Sequence, residues 1–101
     1  MTIADESRLD QAVGRGVRAE RLLTDELLVE AFATLEQAYT TAWRSTTIDD
    51  ASGREKLFLA INVVGKVRDH LTAVATNGKL AKAELKELAQ TAERRKRFGI
   101  L

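Results

Sequence analysis

The one histidine of the chain, His70, stands beside Asp69 and is the only imidazole available for acid/base or metal chemistry. With no second histidine and no cysteine, neither a nucleophilic triad nor a thiolate or imidazole metal site can be completed around it. His70 also falls off the apolar seam of its segment, the place of a surface or edge residue. The closest carboxylates are Asp49-Asp50, in a polar link, and Glu84 with Glu87, spaced along an exposed helical face. Helix caps and solvated charge account for them better than general acid/base work. Gly14-Arg15-Gly16 has the glycines of a phosphate loop but neither the preceding strand nor the remaining motif positions. These residues predict no enzyme, no cofactor and no metal.

Cations offer a second chemistry. Arg94, Arg95, Lys96 and Arg97 form a continuous cluster, Lys79, Lys82 and Lys86 precede it at near-helical spacing, and Arg15, Arg18 and Arg21 recur near the amino end. Such groups bind phosphate without reading sequence, which makes the 94–97 cluster a candidate for non-specific DNA contact. Against it, Glu84, Glu87 and Glu93 interrupt the track, and no short helix-turn-helix is present. Four cations at the end of a helix also suit its dipole without any ligand.

The formal net charge of +1 hides an asymmetry: residues 1–24 balance at zero, 25–53 carry −5, 54–78 carry +2 and 79–101 carry +4. Oppositely charged helices can pair within a bundle or between subunits. A length of 101 residues, with 45% apolar and 31% charged residues and no proline, predicts one small helical domain. The absence of cysteine fits a reducing cytosol or an assembled particle. No apolar run approaches a membrane span and the first residues are polar, so a soluble protein without membrane contact is expected.

The elements that must position these groups follow from the apolar rhythm. Residues 1–16 hold a short apolar pattern (Ile3, Leu9, Ala12, Val13) and predict a mobile arm, broken at Gly14-Arg15-Gly16. Residues 17–95 form the helical domain. Its central helix is 25–44, capped by Thr24, with Leu28, Phe32, Leu35, Tyr39 and Ala42 on one seam widened by Ala31, Ala38 and Trp43. That face is expected to be buried. A second helix, 53–76, opens on the Ser52-x-x-Glu55 capping box, with Thr47-x-x-Asp50 as the alternative cap of an earlier turn, and buries Leu57, Phe58, Ala60, Ile61, Val64, Val67, Leu71 and Val74. Gly65 within it predicts a close approach to the Tyr39/Trp43 end of its partner. Asn77-Gly78 then predicts a helix stop. The third helix, 79–95, has a thin seam of Ala81, Leu85, Leu88 and Ala92 and should bury least. The fold class is all-α: an antiparallel hairpin plus a shorter third helix, a small three-helix bundle. Residues 96–101 form a basic and apolar tail.

A thin third seam and a terminal Phe98-Gly99-Ile100-Leu101 favour association, with Leu85, Leu88, Phe98, Ile100 and Leu101 as the partner-binding residues. The run Arg21-Leu22-Leu23 before an acidic cap, the pairs Ala31-Phe32, Leu35-Glu36 and Ala42-Trp43, the opening Gly53-Arg54-Glu55 and the turn Asn77-Gly78-Lys79 also carry a family likeness. Over about residues 18–88 the chain resembles small helical accessory proteins encoded in the structural and packaging gene clusters of tailed bacteriophages and prophages. The resemblance implies a structural or assembly protein, in the virion or host cytoplasm, that forms a homo-oligomer or docks on capsid, portal or tail proteins. A DNA-packaging or non-specific DNA-binding factor is the alternative.

Overall fold

Thr2 and Asp5 start the first helix by satisfying each other. The Thr2 hydroxyl accepts the Asp5 N–H at 3.2 Å, and the Asp5 carboxylate accepts both the Thr2 N–H and its hydroxyl. In the computed structural model, which describes residues 2–99, three α-helices follow in order: α1 (Ile3–Thr24), α2 (Glu26–Arg44) and α3 (Ala51–Arg97). All regular structure among the described residues is helical.

Two compact units are built from these helices, one of residues 1–20 with 73–101, the other of 21–72. In the first, Gly16 and Ala19 of α1 are buried together with Ala75, Gly78 and Ala81 of α3. A Cβ built on Gly78 would lie 2.7 Å from the Gly16 Cα and 3.0 Å from the Ala12 carbonyl oxygen. Glycine on both sides is what lets the two backbones touch. Beside the crossing, Lys79 Nζ pairs with Glu20 at 3.6 Å.

This unit corrects three expectations. Gly14-Arg15-Gly16 breaks nothing: α1 runs through it, and the arm expected over 1–16 is helical from Ile3. Asn77-Gly78 does not stop a helix either, so the helices expected at 53–76 and 79–95 are parts of α3, which also passes the expected tail boundary at 96. Among the described residues only Gly99 takes a positive φ, 68°. The glycines at 16 and 78 serve proximity, not backbone reversal. The segment expected to bury least, 79–95, supplies Ala81, which with Ala75 and Gly78 just before it makes up the buried residues of α3.

In the second unit, Asp25 caps α2, its extended backbone (φ −69°, ψ 120°) presenting Oδ1 to the Leu28 N–H at 3.0 Å. Thr24, the expected cap, is instead the last residue of α1. Ser45 closes α2, its hydroxyl donating to the Thr41 carbonyl at 3.0 Å. Asp50 caps α3 by accepting the Gly53 N–H at 3.0 Å, so the cap lies two residues before the expected one at Ser52 and the helix begins at Ala51. Removing either cap, by Asp25→Ala or Asp50→Ala, is expected to lower stability by about 1 kcal/mol in chemical denaturation. A loss below a few tenths would show that the cap is replaced by water.

Side-chain contact between α2 and α3 centres on Arg68, which pairs with Glu36 and lies over the Phe32 ring at 5.5 Å from its centroid. Yet no residue of 21–72 is fully buried. Leu28, Phe32 and Tyr39 of the central seam are half-buried, while Leu35, Ala42 and Trp43 are exposed. On α3, Leu57, Ala60, Ile61, Val64 and Leu71 are half-buried, and Phe58 and Val67 are exposed. The close approach expected at Gly65 is absent: a Cβ there would meet nothing within 4 Å.

Candidate functional site

His70 and Asp69 both lie exposed on α3. Asp50 is occupied as a cap, and Asp49 beside it is exposed in the link. Among the described residues no group of three or more His, Cys, Asp or Glu could hold a metal ion. Glu84 and Glu87 are exposed along α3 near Arg94, in a shallow depression that also touches Leu88, Gln90 and Thr91.

Among the described residues Asp5 is the one carboxyl with a clear departure from its ordinary value. Hydrogen bonds from Thr2, and then the Arg8 guanidinium, hold it below the usual carboxylate range. The anion is thus favoured when α1 is formed. Its support of the helix start is present at neutral pH and fades as acid protonates the group.

The cationic candidates divide. Lys79 is engaged with Glu20, whereas Arg94, Arg95, Lys96 and Arg97 are exposed in the last turn of α3. Those four stand where the helix dipole favours cations. A depression of about 560 Å³ beside Arg8 and Arg15 is lined also by Asp5 and Glu84, so it presents mixed charge and not a phosphate cradle.

Of the partner-binding candidates, Leu85 and Leu88 are half-buried on α3, and Phe98 is 70% exposed after its end. Ile100 and Leu101 lie outside the described residues. The larger apolar surface was not among these candidates. Leu27 and Leu35 on α2, and Phe58, Leu59, Val63 and Val67 on α3, are all large exposed hydrophobics of one unit. A signal for it existed in the sequence: α2 carries apolar residues around about 200° of its circumference, twice the stripe that one neighbouring helix covers. On the same unit a half-enclosed depression of about 310 Å³ is lined by Leu22, Leu23, Val29, Phe32 and Ala33, with Glu36 and Arg68 at its polar edge.

No helix among the described residues is long and apolar enough to cross a membrane. Comparison with known proteins finds no matching family model, curated protein or solved structure.

Proposed function

We propose that this chain is a non-enzymatic structural or assembly protein that works through protein–protein contact, in the manner of the small helical accessory proteins of tailed bacteriophages that it resembles. Its partners are further copies of itself or capsid, portal or tail proteins, and it acts in the virion or the host cytoplasm. The observation that carries the reading is the imbalance of burial. Among the described residues the buried apolar side chains are Ala19, Ala75 and Ala81, while fourteen large hydrophobics are exposed. A chain of this composition completes its core by association.

The working element of the proposal is an antiparallel hairpin of α2 with the first half of α3. Chain length supports it. Arg68 meets Glu36, and in a parallel pair Arg44 and Ala51 would stand about 38 Å apart along the axis. The seven steps between them span at most about 25 Å.

The exposed cluster at Arg94, Arg95, Lys96 and Arg97 keeps a second reading in play, a DNA-packaging or non-specific DNA-binding factor. A DNA titration at two salt concentrations separates the two. The structural role predicts no binding at micromolar protein even at low salt. Binding that falls by about one log unit per log unit of salt for each phosphate contact, and that is abolished by alanine at all four positions, overturns it.

A further inference from the structure

We infer that the depression walled by Leu22, Leu23, Val29, Phe32 and Ala33 is the seat of residues 94–101 of a second copy of this chain. The inference rests on the assembly reading and names the two surfaces that meet. The depression lies within one unit, residues 21–72, and encloses about 310 Å³. Its walls are apolar, with the Phe32 ring among them and Val29 left 50% exposed. On α2, Glu26, Val29, Ala33 and Glu36 recur at steps of three and four and so share one face, with Glu30 flanking it. The apolar hollow is thus set in an acidic helix: residues 25–36 hold four carboxylates and no cation. Asp25 is engaged as the cap and Glu36 with Arg68, while Glu26 and Glu30 stand exposed.

Charge selects the occupant. Residues 94–101 reverse the pattern of 25–36, with four cations, no carboxylate and an apolar run that begins at Phe98. Arg94, Arg95, Lys96 and Arg97 are exposed in the last turn of α3, and Phe98 directly after them is 70% exposed. No other stretch of the chain sets an aromatic residue directly after a run of cations. Once docked, Phe98 fills the hollow beside Phe32, where two rings pair favourably, and the cations reach Glu26 and Glu30 at the rim. The ring is the anchor; the charges steer the encounter and reject partners of the wrong sign.

The tail comes from a neighbour. Within one chain, Arg68 and Arg97 belong to a single unbroken helix, which cannot turn back on itself. Every copy then gives a tail and receives one, and the assembly closes as a reciprocal pair or continues as a ring.

The test is the mass of the full chain by sedimentation at micromolar concentration, for the wild type, for Phe98→Glu in the tail, for Ala33→Arg in the depression, and for the two variants mixed. Both positions are exposed, so helical circular dichroism is retained in each variant. The expected result is a wild-type mass above the 11.2 kDa of one chain, a single chain for each variant alone, and a species of twice 11.2 kDa in the mixture. The mixture recovers because one variant keeps the depression and the other keeps the tail. Replacing Glu26 and Glu30 together by Lys should weaken wild-type association at least about tenfold. A wild-type monomer overturns the inference and, with it, the self-association part of the assembly reading. Association untouched by either variant overturns this seat and leaves the assembly reading standing. Loss in both variants without recovery on mixing overturns the pairing of tail with depression. Should a variant unfold, cysteine pairing decides instead, since the chain has no cysteine of its own. Mixed Ala33→Cys and Phe98→Cys chains should give a disulfide-linked heterodimer on mild oxidation; homodimers alone, or no cross-link, overturn the pairing.

Discussion

Gly16→Ala and Gly78→Ala are expected to destabilise the chain by about 1–3 kcal/mol each, whereas Gly14→Ala and Gly65→Ala stabilise it by about 0.5–1 kcal/mol. All four glycines are helical, so propensity alone favours alanine everywhere. Position reverses the sign. A methyl at 16 or 78 would enter the opposing backbone at 2.7 Å, where no flexible side chain can move aside. At 14 and 65 it would meet nothing within 4 Å. Chemical denaturation of the four single variants measures the contrast. If all four changes are stabilising, α1 and α3 do not cross at these glycines.

Phe32→Ala is expected to cost about 2 kcal/mol, about half of what a fully buried phenylalanine loses, because the ring is half-buried. It carries the Arg68 guanidinium on its face and helps wall the depression with Leu22, Leu23 and Val29. Removing it opens a gap between α2 and α3 and uncovers a cation whose Nε has no hydrogen-bond partner. Ile61→Ala, also half-buried, should lose less, since an aliphatic side chain deletes fewer contacts. Urea unfolding midpoints at fixed protein concentration give both values. A loss below about 0.5 kcal/mol at Phe32 would mean that the α2/α3 contact lies elsewhere.

What the sequence made legible was periodicity. The helical class, the body of α2 and its end at Ser45 follow from the three-and-four spacing and from local turn chemistry. The glycines were misread because Gly-x-Gly and Asn-Gly are local punctuation only when nothing distant wants the backbone close. At Gly16 and Gly78 the deciding partner is 62 residues away, beyond the reach of any local pattern. Thr2-x-x-Asp5 is a capping box that the short apolar pattern of 1–16 concealed, and it extends α1 to its first turn. The candidate surface was hidden for another reason. Leu35 and Ala42 were assigned to a seam facing α3, and an arc twice too wide for one neighbour was not divided between two.

The continuity of α3 through Asn77-Gly78 has a consequence for cooperativity. Starting a helix is the costly step, with a nucleation parameter of about 10⁻³, equivalent to about 4 kcal/mol. A helix ended at 76 and restarted at 79 would meet that cost twice, and its second part has only Ala81 fully buried in return. As one element of 47 residues, α3 is nucleated once. Residues 73–97 then grow from a helix already held against α2, and the small-residue crossing with α1 need only hold its backbone in place, without creating it.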